Sequence, residues 1–102
     1  VPINRLKKNE QDVVYQCLVA ALKGPFFPDW EFQTLFGIER STLSKIVDAW
    51  PQVDDTEEDV ALAINNSMGN LVGYPHGKEK EWQKYISVSP DEVISILQRW
   101  KE

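Results

Sequence analysis

The sequence predicts an all-α fold: a compact single-domain bundle, residues 1–102, of five or six short helices. Three observations predict it. Apolar residues recur every three or four positions in run after run, the repeat of a helix with one buried face. Glycines, prolines and capping residues divide those runs into segments of helical length. Hydrophobic residues make up 42% of the 102, with four Trp, four Phe and three Tyr among them, enough apolar surface for one core in a chain too short for two.

The first helix is expected from a cap at Asn9 to about Lys23, with Val13, Val14, Cys17, Leu18, Ala21 and Leu22 on one stripe and Gly24-Pro25 as its stop. Cys17 lies on that stripe and reads as a buried structural thiol. In "PFFPDWEFQTLFG", Pro28 fits a first helical turn, Phe32, Leu35 and Phe36 have the spacing of a buried face, and Gly37 ends the helix. Phe26, Phe27 and Trp30 fold back as an aromatic plug, or Trp30 stands outside as an anchor for a partner. A third helix, about Glu39 to Trp50, turns Leu43, Ile46, Val47 and Trp50 inward and ends at Pro51.

The fourth helix has Asp54 or Asp55 as its cap, with Glu57, Glu58 and Asp59 in a first turn where carboxylates suit the macrodipole. Val60, Ile64, Met68 and Leu71 form its stripe. Gly69 and Gly73, four apart, allow a neighbour to approach the backbone, and Gly73 can serve as a left-handed stop. Asn66 and Asn70 share a face and can tie down the following "YPHG" loop. A short fifth helix in "GKEKEWQKYI" points Trp82 and Tyr85 or Ile86 inward. The last has a full start signal: Ser89 at the cap, Pro90 next, Glu92 for a capping box, and Val88 with Val93 as a staple. Its stripe is Val93, Ile96, Leu97 and Trp100.

The net charge of −5 is unevenly placed. No Lys or Arg lies between Lys45 and Lys78, while Asp48, Asp54, Asp55, Glu57, Glu58 and Asp59 do, so the rest of the chain is +1. Such a segment repels phosphate and attracts basic partners, and five carboxylates in six positions exceed what a cap requires. No apolar run is long enough to span a bilayer, no leader precedes the domain, and the single cysteine suits a reducing compartment, so a soluble cytoplasmic protein is expected.

Catalytic chemistry needs a nucleophile, base and orienting group, or clustered metal ligands. His76 is the one histidine and has no Cys or His at ligand spacing. Neither a phosphate-cradling glycine loop nor an EF-hand occurs. The reading is therefore no enzyme, no cofactor and no metal. "FGIERSTLSKIV" has the grammar of a helix-turn-helix, with Arg40, Ser41, Thr42, Ser44 and Lys45 on the early turns of its second helix. Yet Gln33 stands where a small residue lets such helices cross, and Glu39 would face the groove. Arg40 and Lys45 are few cations for a phosphate backbone, even with Arg5, Lys7 and Lys8 as an arm. A DNA-binding regulator is thus one alternative, with direct nucleic-acid binding disfavoured, and a helical interaction adaptor or oligomer another.

The stretches "GPFFPDWEFQTLFGIER", "AWP", "AINNSMGNLVGYPHG" and "SPDEVISILQRW" resemble those of short bacterial proteins associated with the immunity proteins of contact-dependent growth inhibition. The resemblance covers residues from about 24 to 100. It implies a small cytoplasmic protein that binds one toxin domain, often a basic ribonuclease or deoxyribonuclease, and blocks it. On that reading Asp54, Asp55, Glu57, Glu58 and Asp59 supply the electrostatics, and Trp30, Tyr74, His76 and Trp82 are candidate anchors.

Overall fold

The computed structural model describes residues 2–102, and side-chain burial from residue 3. Among these the chain is all-helical: α1 Lys8–Lys23, α2 Asp29–Phe36, α3 Arg40–Ala49, α4 Glu58–Gly73, α5 Trp82–Tyr85 and α6 Pro90–Lys101. Short 3₁₀ turns at Pro2–Arg5 and Glu79–Glu81 precede α1 and α5. The radius of gyration, 12.4 Å, matches the value of about 13 Å for a compact chain of this length.

Helix α4 is the axis of the bundle, packed by α1, α2, α3 and α6. Its sequence explains why: Val60, Ala63, Ile64, Ser67, Met68 and Leu71 are all buried, a stripe wide enough to meet neighbours on several sides. Val14, Cys17, Leu18 and Ala21 of α1, Leu43 of α3 and Val93 of α6 close the core around it. Cys17 is fully buried, and burial pushes its thiol up to about 12, so it is a packing residue that resists ionisation.

The helix ends follow local chemistry, with several differences from expectation. Helix α1 begins one residue before Asn9: Lys7 is the cap, and its backbone N–H donates to Glu10 Oε1 at 2.9 Å. It stops at Gly24 without left-handed backbone; glycine is needed there because a Cβ would lie 2.6 Å from the Ala20 carbonyl oxygen and 2.9 Å from the Phe26 ring. Gly37 ends α2, as read from the sequence, and does so with left-handed backbone at φ 71°. Pro28 is the cap before α2 and not its first residue. Ser89 Oγ accepts from Glu92 N at 3.2 Å, but the Glu92 carboxylate turns to Arg99.

Two expectations for α4 are overturned. Gly73 is still helical, and Tyr74 caps it with extended backbone. No atom lies within 4 Å of a Cβ built at Gly69 or Gly73, so no element crosses closely there. Asn66 and Asn70 do act as a clamp, but on α2: their Nδ2 groups donate to the carbonyls of Phe36 at 2.8 Å and Leu35 at 3.0 Å. Those carbonyls are at the C-terminal end of α2, where intrahelical donors have run out.

Candidate functional site

The six-residue run from Asp54 to Asp59 divides by direction. Asp55 is buried, and its Oδ2 accepts from the Ile3 backbone N–H at 2.9 Å and the Trp100 indole Nε1–H at 2.7 Å. It joins the N-terminal turn, the start of α4 and α6, so it is neither a helix cap nor a partner-facing charge. Asp54 does not cap α4 either: its Oδ1 accepts from both the Thr56 hydroxyl, 2.6 Å, and the Thr56 N–H, 2.9 Å. Those two bonds, the hydroxyl's first, hold its carboxyl below the usual carboxylate range. The helix starts at Glu58 with Glu57 as the cap position and no side-chain cap bond.

Asp54, Glu57, Glu58 and Asp59 are exposed, and none forms an ion pair among the described residues. Asp54, Glu57 and Asp59 form one wall of an open groove of about 630 Å³ between α3 and the start of α4. Ile46, Val53 and Val60 supply apolar lining, and Lys45 and Thr42 of α3 stand among the other lining residues. The groove therefore has a net negative lining, three carboxylates to the one Lys45, beside apolar residues. That combination binds cations carried on a partly apolar segment.

The four predicted aromatic and histidine anchors are elsewhere, towards the C-terminal end of α4. A helix of 16 residues is about 24 Å long, so the candidate residues do not form one constellation. Trp30 is 80% exposed on the first turn of α2 and takes no part in the aromatic plug. Phe26 and Phe27 do fold inward. Tyr74 is half-buried and its hydroxyl donates to Glu31, which raises its pKa. His76 is withdrawn from the surface: its side chain is 6% exposed, with Nε2 on the Leu71 carbonyl and Nδ1 accepting from Lys78 N. Its ring packs edge-on against Phe26, 4.9 Å between centroids. Trp82 is buried and donates its indole N–H to the Val88 carbonyl. His76 and Trp82 are thus core residues and not anchors; each has its polar atoms paired internally, which is what makes burial of such rings tolerable.

The helix-turn-helix reading loses its main cation. Arg40 Nη1 donates to the carbonyl of Leu22 at 2.6 Å and that of Ala21 at 3.3 Å, and Nη2 to that of Phe27 at 3.2 Å. The guanidinium lies 4.3 Å from the Phe32 ring centroid and pairs with Asp29 at 3.0 Å. It caps the end of α1 from a distance. Sequence reasoning missed this; the one signal available was an arginine directly after an aromatic-rich segment, a common seat for a guanidinium.

Among the described residues no three His, Cys, Asp or Glu side chains are grouped to hold a metal ion, and no helix is long and apolar enough to cross a membrane. No protein-family model, curated protein or solved structure matches the chain.

Proposed function

We propose that this protein is a non-catalytic binding domain of the immunity type, which neutralises a toxin by seating a basic segment of it in the α3–α4 groove. The observation that carries the reading is the groove's row of exposed carboxylates, which form no ion pair among the described residues, beside apolar lining. A nuclease that holds phosphates presents the complementary surface, and opposite fields speed encounter before close contacts form. Asp54, kept ionised by Thr56, contributes charge that persists in mild acid. The cellular setting implied by the resemblance, a cytoplasmic inhibitor, belongs to the same proposal.

The test is growth rescue and co-elution with the C-terminal domain encoded immediately upstream of this protein's gene. Toxicity of that domain, rescue by this protein and a stable one-to-one complex are expected. The quadruple variant Asp54→Asn, Glu57→Gln, Glu58→Gln, Asp59→Asn should keep its helical circular-dichroism spectrum. Its association rate should fall by about tenfold or more at low salt, with a flatter salt dependence. An unchanged rate would reduce these carboxylates to a helix start.

A further inference from the structure

We propose that His76 is an acid-sensitive latch. Uncharged, it pins the loop between α4 and α5 to the end of α4; protonated, it exchanges the Lys78 backbone N–H for the Glu79 carboxylate and releases the loop at Gly77. The partners fix the uncharged state. Nε2 stands 3.0 Å from the Leu71 carbonyl oxygen, which can only accept, so this nitrogen carries the proton. Nδ1 stands 2.9 Å from the Lys78 backbone nitrogen, whose N–H can only donate, so Nδ1 presents its lone pair. A second proton on the ring has no place but Nδ1. There it points at the Lys78 N–H, and that bond is lost.

The loop depends on the bond. His76 N donates to the Tyr74 carbonyl at 2.8 Å, and the Lys78 carbonyl accepts from Glu81 N at 2.9 Å, so the Lys78 peptide joins the imidazole to the 3₁₀ turn before α5. Gly77 between them has left-handed backbone at φ 69° and no atom within 4 Å of a Cβ built on it, so the chain turns there without obstruction. The His76 side chain is 6% exposed, so a charged ring needs an acceptor within the fold. Glu79 Oε2 is 3.7 Å from Nδ1, on a side chain exposed enough to close the gap. The other groups around the ring do not compete: Phe26 and Phe27 carry no charge, Tyr85 of α5 packs on Phe26, Glu31 of α2 is taken by Tyr74, Glu81 pairs with Lys84, and Lys78 and Lys80 are exposed. Histidine is the side chain that ordinarily changes charge between about pH 5 and pH 8, and His76 is the one histidine in the chain. The latch lies at the opposite end of α4 from the carboxylate groove and does not depend on the role proposed for it.

Imidazole nitrogen chemical shifts and amide hydrogen exchange of the whole chain, at about pH 8 and about pH 5, test the latch. At the higher pH, Nε2 alone should be protonated and the Lys78 amide protected. At the lower pH both ring nitrogens should carry protons and the protection factor of Lys78 should fall by about tenfold, while the core amides of Leu43 and Ile64 hold theirs. His76→Asn keeps an acceptor for Lys78 but does not titrate, so protection at Lys78 should be alike at both pH values. Glu79→Gln, a change on an exposed side chain, weakens the acceptor of the charged ring and should move the transition to lower pH. The proposal is overturned if the ring stays neutral at the lower pH, if Lys78 stays protected once Nδ1 is protonated, or if all amides lose protection together. It is overturned equally if Glu79→Gln leaves the transition where it was, or if folded His76→Asn still loses protection at Lys78 in acid.

Discussion

Asp55 and Asp54 are adjacent and chemically identical, yet one is buried between two distant segments and the other is exposed in its own turn. The buried one should therefore dominate stability. Asp55→Ala leaves the Ile3 N–H and the Trp100 indole N–H without their acceptor, at a cost of about 2–3 kcal/mol. Asp54→Ala breaks only exposed bonds and should cost clearly less. Urea unfolding of the two variants checks the contrast, and the indole resonance of Trp100 should move in the first alone. Equal costs would mean that Asp55 is not the tie between the N-terminal turn and α6. Arg40 follows the same logic: its charge looks available in the sequence, but its guanidinium is held by three carbonyls and an aromatic face.

Among the elements, α4 carries the clearest paradox, because a central helix contains Gly69, a poor helix former. The space around it resolves the paradox in one direction only: nothing would touch a Cβ there, and its φ is not in the left-handed region. Gly69→Ala should thus stabilise the fold by about 1 kcal/mol, seen as a higher urea midpoint with an unchanged slope. Gly24→Ala should do the opposite, since its Cβ would meet the Ala20 carbonyl at 2.6 Å. A destabilised Gly69→Ala would mean that a neighbouring group packs against this site. The two asparagines nearby are better understood as the C-terminal cap of α2, supplied by another helix.

At the scale of the whole molecule, the first and last helices are tied through Glu10. Its carboxylate accepts the Lys7 N–H at the start of α1 and also pairs with Arg99 of α6. The Lys7 bond chiefly lowers its pKa below the ordinary 4.5, with Arg99 adding to this against some desolvation. A folded value below the unfolded one gives stability that is complete above the unfolded pKa and is lost as pH falls through the folded one. The parent should therefore lose more stability between about pH 5 and pH 3 than Glu10→Gln, which keeps an acceptor for Lys7 but has no charge. Urea midpoints across that range read the difference, and parallel curves would remove Glu10 from the acid response. The candidate interface is likewise a whole-molecule matter, since α4 carries the acids at one end and leads to Tyr74 and His76 at the other.

The sequence by itself determined the all-α class, the order of the helices, their buried stripes and the end of α2 at Gly37. These depend on the helical repeat and on backbone chemistry within a few residues, which neighbours in the chain report directly. It also located the acidic segment, because charge composition needs no fold. Tertiary structure alone decided which of those acids faces water, that Trp82 and His76 are core, that Trp30 is not, and that Arg40 closes the end of α1. In each case the deciding partner is remote in sequence: Ile3 and Trp100 for Asp55, Phe26 for His76, Leu22 for Arg40. A polar or aromatic side chain serves a core or a surface equally well, and the hydrogen-bond partners that settle the choice are assembled only when distant helices pack.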